Sequence, residues 1–216
     1  MNVEQVARVV AFCLMPKASD TLAKADAWVL YTGDGWKLVD GLRRSWEELQ
    51  ASETRRVMPD IFITGPDNLM LPEDIGEHLN ASHFAEQLIQ TGVIPREKMF
   101  VNATQASLNT HRQAQTLIAM AEKHPWAKVA LFTSGYHSVR AWLTTITRIP
   151  DDMSLLVIPA PQYGLRFDEP NEELAGQPSA WQLFNNNMLA RIAEYQEKGF
   201  CASWEEADEY LRLHGF

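Results

Sequence analysis

The sequence predicts a doubly wound α/β fold, in which helices cover both faces of a five-stranded parallel sheet. Five short apolar segments of β type alternate with segments long enough for crossover helices. Strict β-α-β alternation is typical of parallel sheets, and their crossovers are right-handed in almost every case. The chain has 216 residues, of which 46% are hydrophobic, so it is long enough to bury one sizeable core.

The predicted elements follow each other regularly. The apolar stretch from Val6 to Met15 predicts an amphipathic helix docked on the core, because Arg8 interrupts it and it is too short to span a bilayer. The predicted strands are Ala27 to Thr32, Asp60 to Thr64, Lys98 to Asn102, Lys128 to Thr133 and Ser154 to Pro159. The predicted crossover helices are Asp40 to Arg56, Asn80 to Gly92, Asn109 to His124 and Tyr136 to Arg148.

Local chemistry supports several helix ends. Asn109 or Thr110 can cap the third crossover helix, and Gly92 followed by Pro95 ends the second. Helical spacing returns over Ala180 to Lys198 and Trp204 to Leu213, where Ser203 and Glu206 fit a capping box. We therefore expect an α/β domain over residues 1–177 and a helical C-terminal extension over residues 178–216, packed on the same domain.

Composition narrows the function classes. A formal net charge of −9 disfavours nonspecific binding to nucleic acid or anionic lipid, so we expect no nucleic-acid partner and no membrane partner. The two cysteines, Cys13 and Cys201, are far apart, and no Cys/His cluster suggests a metal site or a disulfide framework. A reducing, cytoplasmic setting fits this pattern best. The oligomeric state is left open.

The main candidate site follows the fourth strand, in the stretch Thr133 to Ala141. A strand there runs into a tight turn and a helix, and the turn carries Ser134, Gly135, Tyr136, His137 and Arg140. Ligands of open α/β sheets bind at such carboxyl ends, in the crevice where the chain leaves neighbouring strands in opposite directions. With the common strand order 3-2-1-4-5, that crevice lies between strands one and four.

A second loop would face the same crevice. The first strand ends in Gly33, Asp34 and Gly35, and glycines there let the backbone approach a ligand, although a tight turn explains them equally well. The second and third strands end in Thr64-Gly65-Pro66-Asp67-Asn68 and Asn102-Ala103-Thr104, which suit either hydrogen bonding to a ribose or amino-acid head group or ordinary turn chemistry.

The side chains near the turn suit anion binding and proton transfer. His137 can hold a phosphate or carboxylate when charged and can move a proton near neutral pH. Arg140, three residues later on the same helix face, can bind an anion through two N–H groups. The structural alternatives are a hydrogen bond from His137 to a neighbouring loop and a salt bridge from Arg140. A serine hydrolase is disfavoured, because the sequence has no Gly-x-Ser-x-Gly elbow.

Two motifs resemble those of the YdcF-like family. They are Ser107-Leu108-Asn109-Thr110 and the stretch Thr133 to Ala141, with Gly92-Val93-Ile94-Pro95 as a third point of similarity, and the resemblance covers roughly Asp26 to Pro159. It implies a Rossmann-like domain that binds S-adenosylmethionine, without an established reaction. Some bacterial members carry membrane anchors, and this chain looks more like the soluble branch.

The resemblance and the residues together leave three functional hypotheses. The first is binding of S-adenosylmethionine, or of a related nucleotide or anionic metabolite, by Gly33, Asp34, Gly35, Asn109, Thr110, Ser134, Gly135, Tyr136 and Arg140. The second is an enzyme that acts on a phosphate-containing envelope precursor with His137 as acid or base, although Asn80 and Thr104 stand where the family often has acidic residues. The third is an interaction protein that docks a partner through Trp181, Phe184 and Trp204, aromatics that also suit a buried helix face.

Overall fold

We describe the protein from a computed structural model, which covers residues 2–15, 17, 19–32, 36–52, 57–65, 81–103, 109–135, 137–160 and 188–216. The strands are β1 (Ala27–Tyr31), β2 (Asp60–Gly65), β3 (Met99–Ala103), β4 (Lys128–Ser134) and β5 (Ser154–Ala160). The helices are α1 (Val3–Leu14), α2 (Ser19–Leu22), α3 (Trp36–Ala51), α4 (Ala81–Gln90), α5 (Thr110–Ala121), α6 (Ser138–Ile146), α7 (Leu189–Glu197) and α8 (Trp204–Leu213).

The five strands form one parallel sheet in the order β3-β2-β1-β4-β5. This is the doubly wound, Rossmann-like arrangement that the sequence predicts. Strand β1 lies between β2 and β4, with Leu30 opposite Ile63 on one side and Phe132 on the other. The chain continues from β1 to β2 toward one edge of the sheet and from β4 to β5 toward the other edge. The point at which the direction of the connections reverses therefore lies between β1 and β4.

Alternate residues of each strand face two separate halves of the core. Val29 and Leu131 face the half that α1, α5, α6, α7 and α8 cover. Trp28 and Leu30 face the half that α3 and α4 cover. Val9 and Cys13 are fully buried, so the N-terminal helix docks on the core as predicted. In an aqueous protein, burying both faces of a parallel sheet is what makes its strands uniformly apolar.

The helix ends differ from the predicted ends by a few residues. Helix α6 begins at Ser138 rather than Tyr136, because the backbone N–H of His137 donates to the Ser134 carbonyl in a turn before the helix. Helix α5 ends at Ala121 rather than His124, and Glu122 to Pro125 form turns. The part of the predicted C-terminal extension before residue 188 lies outside the described residues, and the division at residue 177 stays a prediction.

Candidate functional site

The turn between β4 and α6 places His137 at the carboxyl end of the sheet. Its backbone N–H donates to the Ser134 carbonyl over 3.0 Å, and the Ser138 hydroxyl donates to the Gly135 carbonyl over 2.8 Å. These two bonds close the turn and start helix α6, in which the backbone N–H of Ala141 donates to the His137 carbonyl. Ser134 and Gly135 therefore shape the turn that presents His137.

Three buried side chains meet between the first turns of α5 and α6. The Oγ1 atom of Thr110 lies 3.0 Å from His137 Nε2 and 3.0 Å from Arg140 Nη1. Thr110 is 3% exposed, His137 8% and Arg140 9%. We call these three residues the Thr110 cluster. The sequence predicts all three as site residues, and the structure brings them together across 27 and 30 positions of the chain.

The shared hydroxyl couples the two basic groups. A guanidinium can only donate hydrogen bonds, so Thr110 Oγ1 accepts from Arg140. The hydroxyl can donate a hydrogen bond to an unprotonated Nε2 of a neutral His137. When His137 is protonated, the hydroxyl oxygen can instead accept a hydrogen bond from Nε2–H. The cluster can thus accommodate either charge state of the imidazole without losing the hydrogen bond.

Met188 and the following helix α7 contribute two contacts to Arg140. The Nε atom of Arg140 donates to Met188 Sδ over 3.3 Å, and the guanidinium lies over the Tyr195 ring, 5.5 Å from its centre. Such cation–π contacts favour a fixed orientation of the guanidinium plane. The sequence predicts neither Met188 nor Tyr195 as a site residue, because no local signal marks either of them.

Asn109 has a definite structural role at the start of α5. Its side-chain Oδ1 accepts from the backbone N–H of Arg112 over 3.0 Å, which confirms the predicted N-cap. The cap fixes the first turn of α5 and hence the position of Thr110, the next residue. A direct contact of Asn109 with a ligand stays a prediction.

Gln113 ties α5 to the sheet one turn after Thr110. Its buried side-chain amide donates from Nε2 to the Thr32 carbonyl over 3.0 Å and to the Thr64 carbonyl over 3.3 Å. The carboxyl ends of β1 and β2 are thereby fixed relative to the Thr110 cluster. The sequence predicts Gln113 only as a helical position, because nothing local shows that it reaches two strands.

Several predicted site residues lie outside the part of the chain that the structure describes: Gly33, Asp34, Gly35 and Tyr136, together with Asn80 and Thr104. Trp181 and Phe184 do so as well. Trp204 is described, and it packs against the core half that contains α6 and α8, as the core interpretation of this aromatic predicts. Within the described ranges, no group of three His, Cys, Asp or Glu side chains could hold a metal ion. The same ranges contain no helix with the length and apolar character that crossing a membrane requires.

Two helix N-termini and two basic side chains lie together at the Thr110 cluster. Helices α5 and α6 begin at the Thr110 cluster, and helix N-termini offer backbone N–H groups and a positive dipole end. Arg140 and His137 add side-chain donors in a buried setting, where electrostatic attraction is stronger than in water. No protein-family model matches the chain, and no curated protein does either.

Proposed function

We propose that the protein binds a small anionic or nucleotide-like molecule at the carboxyl edge of the sheet, beside the junction of β1 and β4. The observation that carries this proposal is the Thr110 cluster, in which a buried guanidinium and a buried imidazole share one hydroxyl at two helix N-termini. A guanidinium forms its strongest hydrogen bonds with anionic groups, so an anionic ligand suits this position.

S-adenosylmethionine is the leading candidate for this ligand. It carries a carboxylate that suits Arg140, and the motif resemblance around Thr110 and His137 implies the same ligand. The predicted contacts of Gly33, Asp34, Gly35, Asn109 and Tyr136 with its ribose or ammonium groups belong to this proposal. We place this function in the cytoplasm, where the two buried, free cysteines would stay reduced.

Calorimetry tests the proposal with inorganic phosphate, S-adenosylmethionine, S-adenosylhomocysteine and adenosine monophosphate as probes. We expect Arg140→Ala to weaken binding by about 1.5–3 kcal/mol, the usual worth of a hydrogen bond to a charged group, which is roughly a 10- to 150-fold loss of affinity. Arg140→Lys should fall between parent and alanine variant, because it keeps the charge and loses the planar fork.

Arg148→Ala is the matched control. Arg148 is exposed and follows the C-terminal end of α6, and its Nη2 atom lies 3.2 Å from Nε2 of His111 in α5. Its removal should leave the affinity at the parental value. Circular dichroism establishes that each variant is folded. The proposal would be contradicted if the parent bound none of the four probes. It would also be contradicted if the parent and Arg140→Ala bound a probe with equal affinity.

A second function is favoured by the contact between His137 Nε2 and the Thr110 hydroxyl. An imidazole held in this way can serve as acid or base on a phosphate-containing envelope precursor, with Arg140 against the phosphate. His137→Ala should then reduce binding less than Arg140→Ala does, and it should abolish turnover. Product analysis with nucleotide-linked sugars separates the two functions, because a pure binding protein leaves every substrate unchanged.

A further inference from the structure

One face of α7 contacts the Arg140 guanidinium at two points. Met188, the residue before the helix, accepts a hydrogen bond from Arg140 Nε, and the guanidinium carbon lies 5.5 Å from the centre of the Tyr195 ring. The buried Ile192 stands between these two residues at helical spacing, so all three lie on the same face of α7. The C-terminal part of the chain therefore contributes directly to the surroundings of the Thr110 cluster.

The turn after α7 fixes this face relative to α6. The backbone N–H of Cys201 donates to the Tyr195 carbonyl over 3.3 Å, and Cys201 Sγ lies 3.0 Å from the Thr144 hydroxyl. The backbone N–H of Ala202 donates to the Leu143 carbonyl over 3.1 Å. Leu143 and Thr144 both belong to α6. Hydrogen bonds thus tie the Tyr195 ring to the same helix that carries the guanidinium.

The orientation of the guanidinium matters for anion binding. A guanidinium matches two oxygen atoms of a carboxylate or phosphate only within its own plane. Ordering a flexible side chain when a ligand binds lowers the affinity by about 2- to 10-fold, and a side chain that is already ordered avoids this cost. In Arg140, the bonds to Thr110 and Met188 and the ring of Tyr195 restrict the guanidinium before any ligand arrives.

We propose that α7 sets the anion affinity of the Thr110 cluster, with Tyr195 and Met188 as positioning residues for Arg140. Each acts through the guanidinium, to which Met188 offers a hydrogen-bond acceptor and Tyr195 the face of its ring. This inference rests on the proposed function, and it assigns part of the site to the C-terminal helices. Because the ring face makes the contact, phenylalanine should replace Tyr195 and an aliphatic side chain should not.

Calorimetry with inorganic phosphate, S-adenosylmethionine, S-adenosylhomocysteine and adenosine monophosphate compares the parent with Tyr195→Leu and Tyr195→Phe. For every probe that the parent binds, we expect Tyr195→Leu to weaken binding about 3- to 10-fold, because the guanidinium must then be ordered by the ligand. Tyr195→Phe should stay within about twofold of the parent, because it keeps the ring face. In the Arg140→Ala background, Tyr195→Leu should cause no further loss, because the group that it positions is absent.

The side-chain N–H resonance of Arg140 gives a second readout, which needs no ligand. NMR detects arginine Nε–H groups, and loss of one signal in Arg140→Lys assigns this resonance. Tyr195→Leu should shift the resonance because it removes the nearby ring, whereas Tyr195→Phe should leave it close to the parental position. Met188→Leu keeps a similar side-chain volume and removes the acceptor of Nε–H, so it should speed the exchange of this proton with solvent.

Tyr210→Leu is the matched control for the loss of an aromatic residue. Tyr210 lies in α8, where its ring contacts Trp142 and its hydroxyl accepts from the backbone N–H of Leu155 over 2.7 Å. Its substitution should lower the Tm and leave the affinity for each probe at the parental value. Lower stability alone then does not account for weaker binding in Tyr195→Leu.

The outcomes separate this inference from the proposed function. Parental affinity in Tyr195→Leu, or an equal loss in the Arg140→Ala background, overturns the positioning role and leaves the anion site standing. An unshifted Arg140 resonance in Tyr195→Leu overturns the positioning role as well. Absence of binding by the parent for all four probes overturns the proposed function and this inference together.

Discussion

Gly65, the last residue of β2, lies beside Thr32, the residue that follows β1. Any larger residue would place its Cβ 1.5 Å from Thr32 Oγ1 and 2.8 Å from Thr32 Cβ, so Thr32 or the substituted residue would have to shift. The neighbouring carbonyls of Thr32 and Thr64 are fixed by Gln113, which limits such a shift. A glycine is therefore needed at position 65 because there is no room for a side chain, and not because the backbone adopts a conformation that only glycine favours.

We expect Gly65→Ala to lower the free energy of unfolding by about 1–3 kcal/mol, as overpacking of a tight site usually does. Adding Thr32→Ala should restore part of the loss, because it removes the atom at 1.5 Å and leaves the Cβ at 2.8 Å. Denaturant unfolding of the single and double variants measures both effects. Without rescue in the double variant, the clash with Thr32 would not be the cause.

Gly92→Ala is the control for backbone conformation. Gly92 has a φ of +68°, and open space surrounds the position of an added Cβ. Its substitution should cost about 1–2 kcal/mol through the left-handed backbone alone. A second substitution at Thr32 should leave that cost unchanged, since nothing near Gly92 involves this side chain.

The site residues that the sequence predicts are those with a local signal. His137 and Arg140 stand on the first turn after a strand-to-helix turn, and Thr110 follows a recognisable cap. The sequence does not predict the site contacts of three other residues. Met188 and Gln113 contact residues that are 48 and 81 positions away in the chain. The contact of Tyr195 with Arg140 depends on how α7 packs. Such contacts come from tertiary packing, which carries no signature in the neighbouring sequence.

At the scale of elements, the strands are predicted to within one or two residues and the helices less closely. Each buried strand is an apolar run, so its ends coincide with a change of polarity, as at Asp26 and Asp60. Helix ends depend on hydrogen bonds of single residues, and they were predicted correctly where a side-chain cap is readable. Helix α8 is the clearest case: its predicted bounds, Trp204 to Leu213, are confirmed together with its capping box.

The capping box of α8 gives a pH-dependent prediction. The backbone N–H of Ser203 donates to Glu206 Oε2 over 2.7 Å, and this bond, followed by the Ser203 side-chain bond, lowers the pKa of the Glu206 carboxyl below its usual 4.5. A lowered pKa in the folded state means that the charged carboxylate stabilises the fold above pH 4.5 and that this contribution is lost as the pH falls through the lowered value.

Thermal unfolding of the parent and of Glu206→Gln measures this contribution. The glutamine keeps a side-chain acceptor and removes the titration. We expect the parent to be more stable at pH 7 by a few tenths of a kcal/mol, and the difference to shrink below pH 4.5. A constant difference between pH 3 and pH 7 would contradict the assignment. Ser203→Ala should cost about 1 kcal/mol at pH 7, because it removes the cap itself.

At the scale of the whole molecule, elements from both chain ends share one half of the core with α5 and α6 of the site. Helix α1 packs on α8, where Arg8 lies 2.7 Å from the nearly buried carboxylate of Asp208. Cys13 in α1 and Cys201 before α8 are both buried in this half. Cys201 lies 3.0 Å from the Thr144 hydroxyl of α6, the helix that carries Arg140. The two thiols therefore report on the integrity of the same packed unit as the site.

Burial raises the pKa of both thiols, so each is a poor nucleophile until its surroundings open. We expect both to react slowly with an aromatic disulfide reagent at pH 8 and to react fully after denaturation. The variants Cys13→Ala and Cys201→Ala isolate one thiol each, so the two rates can be measured separately. A rate equal to that of a small free thiol at either position would contradict the packing described for that element.

Phosphate then links the site to global stability. A ligand that binds only the folded state stabilises it by about 2.7 kcal/mol at 100 times its Kd. If labelling requires opening of the shared core half, saturating phosphate should slow both thiols equally, by about 100-fold at that concentration, since 1.4 kcal/mol corresponds to a factor of ten. In Arg140→Ala the same phosphate concentration should protect both thiols only about 11-fold if the affinity falls 10-fold, and less than about twofold if it falls 150-fold. If phosphate protected Cys201 alone, the ligand would stabilise only α6 and its neighbours. Equal protection of both thiols is expected when the anion site and both chain ends unfold as one cooperative unit.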